Sequence, residues 1–362
     1  MKILILGATG SIGLQTIEVI QKFQEIELVG FSFFKNIEKA KHILKIFPNV
    51  SVFSKHVKTL NSCDSYDELI NKTKPDIVLN SIIGFAGLDL SILCLNKKIN
   101  LILANKESMV VAGKFLIELA NKNNISIIPV DSELSSVFSL TNNNKNNIKK
   151  IIITASGGKF FDNKNLDESH YKFNEVIKHP KWSMGEKISI DSSTMINKYF
   201  EIVESSYFYN NEIDVIQHSE AIVHSIVEYL DGSSIMYLSY PDMKIAIQNA
   251  IFNFNSKKQI INNLNYDKLN LNFNKIDENK WLPIKWAKDF LVNKNLSQPI
   301  IINASNDYLF ELFKKEEITF NQIIPTIEKT INKFINHKIS KIEDVYLLNN
   351  LIREWLKGKN YE

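Results

Sequence analysis

Cysteine is scarce in this sequence. Cys63 and Cys94 are the only two in 362 residues, too few for a disulfide framework and without the paired spacing of a zinc site. Both are expected to be small buried residues in a reducing compartment. Net charge is equally scarce: 43 basic and 40 acidic residues leave +3. That balance supplies no electrostatic footprint for nucleic acid or an anionic membrane surface. No run of 18 apolar residues occurs, so no transmembrane helix is expected. No secretory or transit signature precedes the opening strand pattern, and no internal repeat is visible. The expectation is a soluble cytoplasmic protein. A composition of 44% hydrophobic and 23% charged residues is that of a globular chain, and the length calls for two or three domains.

Residues 1–6 form an apolar strand pattern that runs into Gly7-Ala8-Thr9-Gly10-Ser11-Ile12-Gly13, followed by a helical pattern through Ile17 and Ile20. Strand, glycine turn and helix make up the setting a dinucleotide fingerprint requires. The glycines let backbone approach a pyrophosphate, and the helix N-terminus favours its charge. Gly7, Thr9, Gly10, Ser11 and Ile12 are therefore candidate cofactor contacts. A second strand, 27–33, ends in Ser32-Phe33-Phe34-Lys35-Asn36. An NAD enzyme usually places an acid there to hold the ribose 2′-OH. Here a lysine stands instead, which fits a 2′-phosphate and hence NADP, unless Lys35 is only a surface lysine. Further strands at 50–53, 76–81, 100–103 and 125–130 alternate with helical patterns. The fold class expected is α/β: an N-terminal Rossmann-like doubly wound parallel sheet, a central α+β catalytic domain and a C-terminal helix bundle. Asn105, Lys106 and Glu107 follow the 100–103 strand at a carboxyl end, where open α/β sheets bind ligands.

The last strand of that series leads to Asp131-Ser132-Glu133. Two carboxylates two apart on an extended segment point the same way and need a cation or solvent between them; the alternative is an N-cap pair opening a helix at 135–140. Residues 141–150 read as a polar loop, 151–154 as a strand, and Ser156-Gly157-Gly158 as a second glycine turn offering N–H groups and a hydroxyl. The densest polar chemistry follows at 179–201, HPKWSMGEKISIDSSTMINKYFE. A short strand is expected at 187–190, with Asp191-Ser192 capping the next helix. In that helix Asn197, Lys198 and Glu201 share one face. Ser, Asn and Lys at a helix N-terminus suit a phosphate, and a carboxylate one turn on suits a metal ion; the bland alternative is a capped amphipathic helix with a solvated ion pair. Strands are expected at 214–217, 221–230 and 234–239, the last two joined by the hairpin signal Asp231-Gly232. His218 and His224 are expected to be structural. Residues 253–280 read as an Asn- and Lys-rich connector. Ile324, Ile327, Ile331 and Phe334, then Leu348, Leu351 and Trp355, follow the helical period.

These segments together resemble the 1-deoxy-D-xylulose-5-phosphate reductoisomerase family. They are GATGSIG at 7–13, ANKES at 104–108, DSE at 131–133, TASGG at 154–158, HPKWSMG at 179–185, IDSSTMINKYFE at 190–201, VHSIVEYLDGS at 223–233, YPDM at 240–243 and NASND at 303–307. The resemblance implies an enzyme that rearranges and reduces 1-deoxy-D-xylulose 5-phosphate to 2-C-methyl-D-erythritol 4-phosphate in the non-mevalonate isoprenoid pathway. It also implies NADPH, Mg²⁺ or Mn²⁺, a homodimer and inhibition by fosmidomycin. Residue by residue it implies metal ligands at Asp131, Glu133 and Glu201, with Ser132 holding a substrate oxygen beside the metal. Ser156, His179, Ser192, Asn197 and Lys198 would hold the phosphate and neighbouring hydroxyls. Trp182 and Met184 would sit on a mobile lid. Lys106 would lie by the cofactor and the active site and, with His179, Asp131, Glu133 and Glu201, take part in catalysis; Asn105, Glu107, Met184 and Gly185 would also contact the cofactor, with Lys35 and Asn36 at its adenosine end. The expected division is 1–130 for NADPH, 131–252 for metal, substrate and the dimer interface, 253–280 as connector and 281–362 as helical domain. Phe33-Phe34 stands where the family usually has small residues, Leu134 replaces a frequent histidine and Lys159 a frequent proline. Two rival readings are another NADP-dependent two-domain dehydrogenase and a non-catalytic dinucleotide sensor. The first would need a nucleophilic cysteine in a polar setting, and the second accounts for the glycine turn alone.

Overall fold

The computed structural model describes residues 1–58, 61–141, 147–158, 160, 171–177, 185–255 and 258–359. The chain falls into two compact units. One comprises Met1–Ser108, Leu116–Ser135 and Asp242–Asn263, the other Met109–Phe115, Ser136–Pro241 and Leu264–Glu362.

The first unit opens with β1 (Lys2–Leu6), α1 (Ser11–Ile20), β2 (Glu27–Ser32), α2 (Ile37–Ile46), β3 (Ser51–Phe53) and α3 (Tyr66–Thr73). It continues through β4 (Ile77–Asn80), α4 (Gly87–Asn96), β5 (Asn100–Leu103), α5 (Lys106–Asn123), β6 (Ile127–Pro129) and the start of α6 (Ser132–Thr141). Its six strands lie in the order β3-β2-β1-β4-β5-β6, and every pairing is parallel. Both faces of such a sheet are covered, so its strands are continuous apolar runs: Ile3, Leu4, Ile5 and Leu6 of β1 are all fully buried. Each such side chain contributes roughly 1.5–3 kcal/mol by burial. The strand order reverses between β1 and β4, which creates the crevice where nucleotides bind in these sheets. Asn36 and Ser65 cap α2 and α3, accepting the N–H of Lys39 and Glu68, each at 3.0 Å. Ala246, Ile247, Ala250 and Ile251 of α10 (Met243–Ile251) enter the core of this unit. Cys63 and Cys94 are free and buried, and burial pushes the Cys94 thiol up to about 12.

The second unit contains β7 (Ile148–Ala155), α7 (Phe173–Val176), α8 (Glu186–Ser193), α9 (Ile196–Phe208), β8 (Glu212–Gln217), β9 (Val223–Tyr229) and β10 (Ser234–Leu238). Its later helices are α11 (Leu282–Asn293), α12 (Ser297–Lys314), α13 (Ile323–Phe334) and α14 (Ile342–Lys357). The sheet order is β10-β9-β7-β8, with β7 parallel to β8 and antiparallel to β9. The β9–β10 hairpin turns at Asp231-Gly232. Gly232 takes a φ of 88°, and Asp231 Oδ1 accepts the Ser233 N–H at 2.8 Å. One expected element changes type: residues 187–190 are not a strand but the middle of helix α8. Alternating Ile and polar residues suit a strand, yet Lys187 and Asp191 pair one helical turn apart, and that pairing fits only a helix. In α14 the buried stripe is Val345, Leu348, Ile352 and Leu356, while Leu351 is exposed, so the apolar face is rotated from the expected one. Among the described residues no helix is long and apolar enough to cross a membrane.

Candidate active site

The glycine turn after β1 is built on close approach. Gly7 has a φ of 87°, and its N–H donates to the Ser32 carbonyl and hydroxyl oxygens, each at 3.1 Å. A Cβ on Gly13 would lie 2.5 Å from Ala8 Cα, so turn and helix meet backbone to backbone. Gly10 precedes α1 with no side chain capping it, which leaves the opening turn suited to an anion. Thr9, Gly10 and Ile12 are half-buried and Ser11 is exposed. At the end of β2 the two phenylalanines part. Phe33 is buried, whereas Phe34 is 64% exposed and meets the His56 ring edge-on at 4.4 Å. Exposed Lys35 places its Nζ 5.1 Å from the Phe34 ring. Asn36 is spent on the α2 cap.

The residues after β5 divide their work. The Asn105 amide donates to the Gly84 carbonyl and to Glu107 Oε2, each at 2.9 Å. Glu107 Oε1 accepts the Gly84 N–H at 3.1 Å. A Cβ on Gly87 would collide with Asn105 Oδ1 at 2.3 Å. Asn105 and Glu107 are thus buried clamps on the loop that follows β4. Lys106 points elsewhere, and its Nζ donates to Asp131 Oδ2 at 2.8 Å.

Asp131 and Glu133 do not lie on an extended segment. Asp131 Oδ1 accepts the N–H of Glu133 at 3.2 Å and that of Leu134 at 3.5 Å, so Asp131 caps α6 and Glu133 sits in its first turn. The alternative of an N-cap pair opening a helix at 135–140 is met in part: the helix starts earlier, at Ser132, and Asp131 alone caps it. Capping uses one Asp131 oxygen and Lys106 the other. Ser132 Oγ donates to Glu133 Oε2, and Leu134 is fully buried.

In the second unit the turn Ser156-Gly157-Gly158 packs against the end of α8. Gly157 and Gly158 take φ values of 87° and 63°, and a Cβ on Gly158 would lie 2.9 Å from the Ser192 carbonyl oxygen and from Ser193 Cα. Asp191 and Ser192 do not cap a helix start; they lie in the last turn of α8. The chain then reverses through Met195, with a φ of 64°, and enters α9 with no side-chain cap. Asn197 donates to Glu201 Oε1, and Lys198 forms an ion pair with Glu201 Oε2. Lys198 and Glu201 are buried. Breaking a buried pair of this kind costs about 3–5 kcal/mol. Ser156, Ser192 and Asn197 are half-buried. His179, Trp182 and Met184 lie outside the described residues; Gly185 precedes α8, and among the described residues nothing stands within 4 Å of a Cβ placed on it.

The two central histidines are structural. His218 Nδ1 donates to the Asn272 carbonyl at 2.9 Å, its Nε2 accepts the Ile222 N–H at 3.3 Å, and its ring stacks on Phe273. His224 Nε2 meets Ser239 Oγ at 3.0 Å.

The profile described as 1-deoxy-D-xylulose 5-phosphate reductoisomerase matches residues 3–113. The profile for its C-terminal domain matches 127–209, and a further DXP reductoisomerase C-terminal domain matches 238–355. A 1-deoxy-D-xylulose 5-phosphate reductoisomerase of Malacoplasma penetrans is 46% identical over 356 residues, covering 98% of this chain and 94% of the relative. One from Clostridium botulinum (strain Loch Maree / Type A3) is 37% identical, with 99% of each covered. A crystal structure of DOX-P reductoisomerase with NADPH, fosmidomycin and magnesium superposes with a TM-score of 0.90 at 28% identity, covering 99% of this chain and 100% of the other. The Zymomonas mobilis 1-deoxy-D-xylulose 5-phosphate reductoisomerase in complex with NADPH gives 0.84 at 26% identity, with 99% of each chain covered.

Proposed function

The chain belongs to the 1-deoxy-D-xylulose 5-phosphate reductoisomerase family, and from that premise we propose how its own residues carry the family's reaction. The protein is an NADPH- and divalent-metal-dependent enzyme. It converts 1-deoxy-D-xylulose 5-phosphate to 2-C-methyl-D-erythritol 4-phosphate in isoprenoid biosynthesis. The observation that carries this is a likeness running the length of the chain.

The metal ligands we propose are Asp131 and Glu133, half-buried, and Glu201, buried. Three carboxylates are hard oxygen donors and suit Mg²⁺ or Mn²⁺. Asp131 and Glu201 each carry an ammonium at hydrogen-bond range. When bound, the metal supplies Lewis acidity at the substrate ketone and NADPH supplies the hydride. The chain's own part is to bind and orient. Ser156, Ser192, Asn197 and Lys198, with His179, take the phosphate and neighbouring hydroxyls. Ser132 orients a substrate oxygen. The turn from Gly7 to Ile12 takes the pyrophosphate, and Lys35 with Asn36 lies toward the 2′-phosphate. Binding energy from a phosphate remote from the reacting carbons is available for orienting them. For Trp182, Met184 and Gly185 we propose the lid and cofactor roles that the resemblance implies. The expected division of labour at 1–130, 131–252, 253–280 and 281–362 is proposed on chemistry; in packing, α10 sides with the nucleotide unit.

A cytoplasmic homodimer is the assembly we propose. Among the described residues β10 is an edge strand that exposes Ile235 at 48% and Met236 at 38%. An open apolar edge of this kind is normally covered. Sedimentation of an Ile235→Lys, Met236→Lys variant as a monomer would support this face; an unchanged dimer would exclude it.

The function is tested by following NADPH oxidation with 1-deoxy-D-xylulose 5-phosphate, with and without a chelator, and identifying the product. Oxidation that needs both substrate and metal supports the assignment. Full activity after complete metal removal contradicts it.

A further inference from the structure

Arg353 is the only arginine in the 362-residue chain, and it stands at the outer end of a chain of charges that runs back to α8. Its guanidinium donates to Asp307 Oδ2 at 3.3 Å. Lys187 Nζ lies 3.4 Å from Asp307 Oδ1, an ion pair, and donates to Asp191 Oδ2 at 2.7 Å. Asn306 Nδ2 donates to the other Asp191 oxygen at 2.8 Å. Asp191 and Asn306 are almost wholly buried, and the Lys187 ammonium also sits 5.6 Å from the Phe200 ring. Three helices, α8, α12 and α14, are thereby joined through polar groups that would be costly to bury singly.

The tied point is the last turn of α8. Asp191 precedes Ser192 directly. On another side of that turn Gly158 presses on Ser192 and Ser193 with no room for a Cβ. Beyond it the left-handed Met195 starts α9, which carries Asn197 and Lys198. Held by Asn306 and Lys187 and packed against the glycine turn, this elbow has little freedom to shift. A rigid supporting shell is what a precise anion site needs.

We infer that Lys187, Asp191, Asn306, Asp307 and Arg353 are positioning residues that fix the α8–α9 elbow and thereby set the affinity of the phosphate pocket. This rests on the assignment of Ser192, Asn197 and Lys198 to the substrate phosphate. None of the five needs to touch the ligand. Arginine suits the outer position because its planar fork holds direction as well as charge, which explains its use at one place in a lysine-rich chain.

The test uses the full-length enzyme, its KM and kcat for the sugar phosphate, and inorganic phosphate as a competing probe. NADPH affinity and melting temperature serve as controls for the fold. Asn306→Ala and Asp307→Asn should raise KM and the phosphate inhibition constant by about tenfold, within the range a displaced positioning group costs, with kcat little changed. Arg353→Gln should act in the same direction, and Arg353→Lys should recover part of the loss. In a Ser192→Ala background the further effect of Asn306→Ala should shrink, because the two act on one pocket. Unchanged phosphate inhibition in Asn306→Ala and Asp307→Asn, or a fall in kcat alone, would overturn the inference. If Ser192→Ala has no effect while Asn306→Ala still weakens phosphate, Ser192 loses its role and the elbow acts through Asn197 and Lys198. If Ser192→Ala weakens phosphate and the network variants do not, the network is only structural.

Discussion

The Lys106 ammonium lies 2.8 Å from Asp131 Oδ2, and each of the two side chains is 10% exposed. Lys106 opens α5 just after β5, and Asp131 follows β6, so two neighbouring parallel strands deliver a cation and an anion to the same end of the sheet. The carboxylate proposed above as a metal ligand is paired with an ammonium of the same unit.

If the ammonium and the metal share Asp131, removing the ammonium should favour the metal. Lys106→Met should bind Mn²⁺ about tenfold more tightly, the equivalent of ~1.4 kcal/mol, while turnover falls if Lys106 serves the active site as proposed. Calorimetric titration with Mn²⁺ checks this. Unchanged affinity would mean that the two cations do not compete for that oxygen.

Gly13→Ala should damage the nucleotide turn. The new methyl would lie 2.5 Å from Ala8 Cα, against backbone that cannot swing aside. Overpacking of this sort costs roughly 1–3 kcal/mol. A lower melting temperature together with weaker NADPH binding, read by fluorescence titration, is the expected outcome. A variant with full NADPH affinity would show that the turn tolerates a shift.

Much of this was legible in the sequence because the signals were local. Apolar runs ending in Gly7 or Ala104 mark buried parallel strands, and β5 falls where its pattern puts it, at Asn100–Leu103. Ile188 and Ile190 alternate like strand residues, so 187–190 reads as a strand; the helical Lys187–Asp191 pair is held by Asn306 and Asp307, more than a hundred residues away. Asp131 and Glu133 are ambiguous as letters: the strand pattern at 125–130 runs straight into them, while Asp131-Ser132 is equally an N-cap signal, and the helix begins at Ser132. The NASND segment drew notice through resemblance alone; its link to Asp191 is a tertiary fact that no periodicity carries. Phe33 and Phe34 were indistinguishable as letters, and the sheet sorts one inward and one outward.

Stability in acid should depend on Asp214. Lys150 Nζ lies 2.8 Å from its Oδ2 and Lys288 Nζ 3.3 Å from its Oδ1. Burial alone would raise its pKa, but Lys150, the Val215 N–H and Lys288 together outweigh burial and hold the carboxyl below its usual 3.8. A lowered folded-state pKa means that the contribution is full above the unfolded value and disappears as pH falls through the folded one. Asp214→Asn should therefore lose about 1 kcal/mol or less at neutral pH, as partly exposed pairs do. The gap should close in strong acid. Urea melts across the acid range would show it, and a constant difference at every pH would contradict the pairing.

Cofactor choice should follow Lys35. The exposed ammonium stands where an NAD enzyme carries an acid, so Lys35→Glu should shift the NADPH to NADH ratio of kcat/KM by at least about tenfold, or ~1.4 kcal/mol. The shift comes from removing an attraction and adding a repulsion. Parallel steady-state kinetics with both cofactors measure it, and an unchanged ratio would place the 2′-phosphate elsewhere.

The central claim is that Asp131, Glu133 and Glu201 together hold one divalent ion. Mn²⁺ titration of the protein, followed by electron paramagnetic resonance, tests it without relying on turnover. A single site per chain is expected in the unaltered protein. Asp131→Asn, Glu133→Gln and Glu201→Gln should each weaken that site by at least about a hundredfold, beyond the roughly 10- to 100-fold that outer partners of a metal are worth, while NADPH still binds. A variant among the three that binds Mn²⁺ as tightly as the unaltered protein would contradict it.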